Sequence, residues 1–418
     1  MSEKSRQPFD VLIAGASYAG LALARALLAT LGPEITIALV DRGSDPLLRS
    51  GLAGGGDPRA FALGAGSQRM LEVIGVWQRV ASIAQPVSRI EITDSALDSG
   101  VRPVLMTYDN DVGGGEPGSW IVPGAALLAA LGAAVAADGA TCVIAGSEAV
   151  SIDGSGPLAR VTLGDGRMLS ARLVVAAEGR RSRLRESAGI RIVGWSYGQT
   201  GIVATVRHER PHEGVAVQHF LPAGPFAILP LTGNRSCITW SEEAAEAKRI
   251  LALDDAGFLA EIDKRFGGRL GALMLEGGRG SWPLEMHLAR AYVGPRLALV
   301  GDTAHGVHPI AGQGLNLALR DVAALTEVLA EAARVGLDIG DGEALRRYER
   351  WRRFDAAVSA AAFDGLNRLF SNDWTLVRAA RDFGLGVVDR LPALKQMLVT
   401  EAAGLSGELP RLIRGERV

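Results

Sequence analysis

Residues 13–20 read IAGASYAG, and no other stretch limits the fold as much. It follows the apolar run Val11, Leu12, Ile13 and precedes LALARALLATL. An apolar strand, a glycine-bearing turn and a helix, in that order, open a βαβ unit. The turn gathers the N–H groups and the positive dipole end of the helix at one point, where a pyrophosphate can be held. The full spacing of such a turn is Gly-x-Gly-x-x-Gly. Gly15 permits the tight turn and Gly20 lets the helix approach the strand, but Ser17 stands in the place of the middle glycine. Its Cβ crowds the approach of a phosphate, whereas its N–H and hydroxyl can still donate, so weakened rather than abolished binding is expected. EITIALVDR is a second strand ending at Asp41 and followed by Arg42. Asp41 lies 21 residues beyond Gly20 (41 − 20), where an acidic side chain accepts ribose hydroxyls.

Strand-like and helix-like segments alternate to about residue 80, and β-like runs then interrupt them at 87–122 and again at 195–285. GPLARVTLGDGRMLSARLVVAAEG reads as a hairpin turning at Gly164-Asp165-Gly166. GSQRMLEVIGVWQRV reads as a helix with Met70, Leu71, Ile74 and Trp77 on one face. The β-rich blocks fall inside the α/β blocks, so two interleaved domains are expected. Residues 1–78, 119–190 and 286–340 form a dinucleotide-binding domain, 79–118 and 191–285 form a β-sheet domain, and 341–418 form a C-terminal helical region.

Composition removes several functions. Net charge is −2 over 418 residues, so no basic field argues for nucleic acid. The two cysteines, Cys142 and Cys237, offer neither a disulfide framework nor metal spacing, and each reads as a small core residue. No stretch has the roughly 18 apolar residues that span a bilayer, and the N-terminus carries no signal or transit pattern. The expected setting is the reducing cytoplasm.

Two further segments carry chemistry. In VGDTAHGVHPIAGQGLNLALRDV, Gly301 and Asp302 end a buried strand and leave a carboxylate that can hold a polyol chain. Pro309, Gly312, Gln313, Gly314, Leu315 and Asn316 make a small-residue loop that a flat ring can approach, with a helix start pointing at it. His305 and His308 do not make a metal site, because no carboxylate completes the set; each reads equally as a loop histidine or as a catalytic one. In LVVAAEGRRSRLRE, a buried strand ends in Glu178-Gly179 and is followed by Arg180, Arg181, Arg183 and Arg185. These arginines could pair with phosphates or form a solvated helix start.

In this order and spacing the three motifs resemble those of flavoprotein aromatic hydroxylases of the para-hydroxybenzoate hydroxylase class. Within that class the chain is most similar to the ubiquinone-biosynthesis hydroxylases. HPIAGQGLNLALRDV, DPRAFAL (57–63), FLPAGPFAILPL (220–231) and FDGLNRLFSND (363–373) carry the likeness, which covers nearly the whole chain. It implies an α/β fold in which a Rossmann-like FAD-binding domain interleaves with a β-sheet substrate domain. It implies FAD in the cradle, NAD(P)H as reductant, and hydroxylation of a polyprenylated phenol with dioxygen. By the same resemblance Arg59 contacts an FAD phosphate, Asp302 the ribityl chain, and the Pro309–Asn316 loop the isoalloxazine. The catalytic candidates are His305, His308 and Pro309.

The chain departs from that pattern at Ser17, at Glu178 in place of aspartate, and at Gly124, where a polar side chain usually faces FAD. All three bear on cofactor affinity, so a weakly flavin-binding scaffold in a ubiquinone-synthesis protein complex is the alternative. A nicotinamide-dependent dehydrogenase would leave the Gly301–Asn316 segment without a role. An insoluble phenol also implies peripheral inner-membrane contact. In TLVRAARDFGLGVVDRLPALKQMLV, apolar residues at helical spacing alternate with basic ones, as on a helix that packs on the protein's own core, on anionic lipid or on a partner helix.

Overall fold

The computed structural model describes residues 8–45, 47, 57–95, 97, 102–308, 312–370 and 391–418. Pro309, and the stretch from Ser371 to Arg390 that holds most of the basic amphipathic segment, lie outside the described residues.

The first strand, Phe9–Ala14, runs parallel to Ile37–Asp41 on one side and to Met168–Ala176 on the other. Leu297–Leu299 extends the sheet beyond Met168–Ala176, and Thr141–Ala145 extends it beyond Ile37–Asp41. The central strands are apolar throughout because both faces are covered. Helices Tyr18–Leu31, Gly124–Ala136 and Gly314–Arg334 share one core with them. The hairpin at Gly164–Gly166 connects Ala159–Leu163 to Met168–Ala176 in antiparallel register. Thr141–Ala145 ends the parallel path of the sheet, and this corrects one expectation. Cys237 is enclosed, but Cys142 is exposed, because a strand at the end of the row has one side without a neighbour. The helix at Ala65–Val73 buries Met70 and Leu71. Ile74 caps it and is also enclosed. Trp77 belongs instead to a separate 3-10 turn and meets Trp120 edge to face at 5.5 Å.

A second sheet of eight strands has the order His305–Gly306, Leu273–Ala289, Ile192–His208, Arg235–Glu243, Gly224–Leu231, Val215–Leu221, Arg89–Asp94, Val104–Asp109. Alternate residues face opposite ways along each strand. Val217, Ile228 and Ile238 pack with Ile250, Phe258 and Ile262 of helices Ala244–Leu251 and Asp255–Phe266. Their neighbours Ala216, Leu229 and Cys237 belong to a separate cluster. That cluster includes Ile121, from a small sheet of Ala60–Gly64, Ser119–Pro123 and Gln85–Pro86. No described helix is long and apolar enough to cross a membrane.

Candidate active site

A cavity of about 1260 Å³ lies between the two large sheets. One wall is the turn after the first strand. Gly15 has φ +99°, which L side chains rarely adopt, and a Cβ there would lie 2.3 Å from the Ala177 carbonyl oxygen. A Cβ on Gly20 would lie 1.9 Å from the carbonyl oxygen of Gly15. The helix can therefore start against the turn only with these glycines. Ser17 occupies the N-cap position, yet its side chain makes no capping hydrogen bond, so the helix start is not closed by its own residue.

Asp41 holds this turn together. Its carboxylate accepts from the backbone N–H of Ala16 at 2.7 Å and from that of Gly43 at 2.8 Å. Arg42 lines the same wall. The Asp302 side chain also lines the cavity, and its backbone carbonyl accepts from His287 at 2.8 Å. The roles of the two carboxylates therefore differ. Asp302→Ala is expected to weaken cofactor retention while leaving thermal stability unchanged. Asp41→Ala is expected to lower both, because its bonds to the turn at Ala16 and to the strand end at Gly43 go with it. A hydrogen bond to a charged group is worth about 1.5–3 kcal/mol. Melting curves recorded beside cofactor titrations separate the two outcomes; equal melting temperatures for the two variants would contradict this division.

Arg59 also lines the cavity, with its guanidinium fixed by Asp57 through Nε at 2.8 Å. Asp57 in turn accepts from the Tyr18 hydroxyl at 2.9 Å. The Arg59 hydrogen bonds hold the Asp57 carboxyl below its ordinary range in spite of its burial. The Tyr18 ring meets Phe61 edge to face at 4.8 Å. This packing accounts for Gly124, since a Cβ there would come within 2.9 Å of the Tyr18 hydroxyl, the Arg59 carbonyl and the Phe61 ring. Tyr18 and Asp57 were not evident from sequence, because their meeting depends on tertiary packing.

Glu178 and Gly179 line the cavity beside the glycine turn. Burial raises the Glu178 carboxyl, which accepts from the Ser182 hydroxyl at 2.5 Å and from the Leu184 N–H at 3.3 Å. The additional methylene thus lets Glu178 reach the start of the short helix Arg183–Ser187. The arginine run divides by burial. Arg180, Arg181 and Arg183 line the cavity, whereas Arg185 is enclosed and donates to the carbonyls of Thr303 and Arg180. Arg185 is therefore not a phosphate contact but a strut between two loops. Gly312, Gln313, Gly314, Leu315 and Asn316 line the opposite wall. Asn316 accepts from the Gly64 N–H at 3.0 Å and donates to the Ala62 carbonyl at 2.9 Å, which ties the loop to the small sheet.

The two histidines require correction. Neither lines the cavity. His305 is enclosed and its Nε2 lies 2.6 Å from Asp321, which also accepts from Arg352 at 2.8 Å and from the Gly301 N–H at 2.9 Å. It is part of a buried charge cluster that holds Gly301 and, with it, Asp302. His308 is fully buried, edge to face with Tyr197 at 5.0 Å, and 3.3 Å from the Gln199 side-chain oxygen. Burial pushes its imidazole down to about 4 from the ordinary 6.5. The folded chain therefore binds this proton less readily than the unfolded one. Its contribution to stability is complete above pH ~6.5 and is lost as pH falls towards ~4. Urea denaturation is expected to show that loss, and His308→Gln to make it shallower; an unchanged slope would exclude His308 as its source.

A model of the FAD binding domain family matches residues 8–361. The chain belongs to this FAD-binding family. Ubiquinone hydroxylase UbiL of Rhodospirillum rubrum is 44% identical over 409 residues, 97% of this chain and 92% of the relative. The 3-demethoxyubiquinol 3-hydroxylase of Escherichia coli is 31% identical over 96% of this chain and its own whole length. Among solved structures, p-nitrophenol 4-monooxygenase PnpA from Pseudomonas putida has the same fold, with a TM-score of 0.78 at 16% identity over 96% of this chain and 99% of that one. The residues present fit FAD. The turn that a Cβ would fill suits a pyrophosphate, Asp41 and Asp302 stand on the walls where hydroxyls need acceptors, and the small-residue loop at Gly312–Gly314 leaves space for a flat ring.

Proposed function

We propose that this chain is an FAD-dependent monooxygenase that hydroxylates the ring of a polyprenylated phenol in ubiquinone biosynthesis, consuming NAD(P)H and dioxygen. One observation carries the reading: the cofactor cradle and an apolar sheet face line a single cavity. Gly15, Asp41 and Asp302 stand at one end, and Ile92, Ala227 and Leu229 at the other. The relatives named as ubiquinone hydroxylases support it.

When bound, FAD supplies the redox and oxygen chemistry, which no amino-acid side chain provides. The chain's own residues bind, orient and exclude water. The glycine turn and helix start receive the pyrophosphate, Asp41 the adenosine ribose, Arg59 a phosphate, and Asp302 the ribityl chain. The Gly312–Asn316 loop, which lines the cavity, would hold the ring. The apolar sheet face keeps bulk water from the reacting centre. Such a phenol partitions into bilayers, so the chain collects it at the inner-membrane surface or from a partner of a ubiquinone-synthesis complex.

The test is retention of a yellow chromophore by the purified protein. FAD should be bound noncovalently, and Ser17→Gly should tighten it a few-fold by relieving the crowded Cβ. If neither form binds FAD, the enzymatic reading is lost and the scaffold reading takes its place.

A further inference from the structure

Within the cavity, the sheet face is apolar except at a few positions, and the half-buried Gln218 is one of them, with its amide nitrogen enclosed and unpartnered. Gln218 stands on strand Val215–Leu221, paired with Ile92 on one side and Ala227 on the other. Thr239 follows in the same row. All four line the cavity. The Gln218 carboxamide makes no hydrogen bond to any described residue, and its Nε2 is buried without a partner. Its neighbours in the row and the adjoining Ala216 and Leu229 offer nothing to bond it, apart from the Thr239 hydroxyl two strands away. A buried amide left unbonded costs stability, and apolar side chains fill such a face without that cost. A half-turn of the amide exchanges its donor and acceptor ends, so one side chain can serve either kind of ring oxygen.

We infer that Gln218 is a specificity-determining residue that hydrogen-bonds an oxygen substituent on the aromatic ring of the substrate. This rests on the reading of the cavity as the site of an aromatic hydroxylase. The ligand it selects is an oxygen-bearing ring, a phenol or its alkoxy derivative, over a plain hydrocarbon ring of the same shape. Apolar contact with Ile92, Ala227 and Leu229 holds ring and side chain without distinguishing these. Specificity then comes from the amide, because a site built to bond an oxygen rejects a ligand that lacks one.

The experiment uses two probes, a phenol bearing one short prenyl group and the same prenylated ring without the hydroxyl. Binding to the full chain is read by quenching of intrinsic tryptophan fluorescence, since Trp282 lines the cavity. That signal does not require FAD, and visible absorbance of the same sample reports FAD separately. The wild-type chain should prefer the phenol about tenfold, the scale of one hydrogen bond. Gln218→Met, close in length and without a hydrogen-bonding amide, should bring the two affinities within about twofold by weakening the phenol alone. Gln218→Leu guards against a packing defect peculiar to methionine and should behave alike. If both variants keep the wild-type preference, or if the wild-type chain shows none, the inference is overturned even though FAD is bound. Absence of FAD with the preference intact would instead overturn the enzymatic reading, and with it the role of Gln218 towards a substrate, leaving only a residue that selects a bound ring.

Discussion

Asp321→Ala is expected to destabilise the chain by about 3–5 kcal/mol, because it removes the shared partner of a buried charge cluster. Asp321 is completely enclosed and accepts from Arg352, His305 and the Gly301 N–H at once. Its carboxyl is held low by His305 and Arg352 in spite of the opposing cost of burial. Without it the Arg352 guanidinium, itself 1% exposed, keeps only Asp355 among the described residues, and His305 loses its carboxylate. Asp321→Asn keeps the shape and the bond to Gly301 but not the charge, so an intermediate loss is expected. Denaturant unfolding at neutral pH measures both. A loss below about 1 kcal/mol for the alanine variant would mean that the cluster relaxes or admits water. The alanine variant should retain less FAD than its loss of stability alone accounts for, since Gly301, which does not itself line the cavity, immediately precedes Asp302, which does.

Gly20→Ala is expected to abolish FAD binding and to cost on the order of 3 kcal/mol, at the upper end of overpacking penalties. The added carbon would stand 1.9 Å from a backbone oxygen, which cannot rotate aside as a side chain can. Helix Tyr18–Leu31 must then move off the strand, and the phosphate seat goes with it. Gly124→Ala makes a useful contrast, because part of its clash is with the Tyr18 and Phe61 side chains. Flavin content after purification and the unfolding midpoint check the comparison. If Gly20→Ala retained FAD at wild-type affinity, the turn would not be the phosphate seat.

The cradle is legible in the sequence because it is local. Strand, turn, helix and the following acidic strand end all fall within residues 9–41, and spacing alone specifies how they meet. The burial of His305 is not legible in the same way. Its partner Asp321 lies 16 residues on, along helix Gly314–Arg334, and nothing in the histidine spacing distinguishes a cavity side chain from an enclosed one. Gly124 reads as a lost contact because its meaning depends on Tyr18, and the two approach only after the sheets have assembled. Arg185 differs from Arg183 by burial alone, which a run of like charges conceals. Gln218 could have been noticed as an amide in an otherwise β-rich apolar run, VAVQHF, but which face it takes follows from register with Arg89–Asp94, more than a hundred residues earlier.

The strand order bears on how the protein can be made and divided. Phe9–Ala14 leaves the ribosome long before one of its neighbours, Met168–Ala176, and that strand's own neighbour, Leu297–Leu299, follows later still. The sheet that bears the phosphate turn is therefore incomplete until about three quarters of the chain has emerged, while its apolar edges wait unpaired. For the same reason no single cut yields a transferable flavin module and a transferable substrate module. Fragments ending before Leu297 should accumulate as chaperone clients rather than as smaller flavoproteins, and grafting the substrate sheet onto another cradle would require at least four coordinated junctions.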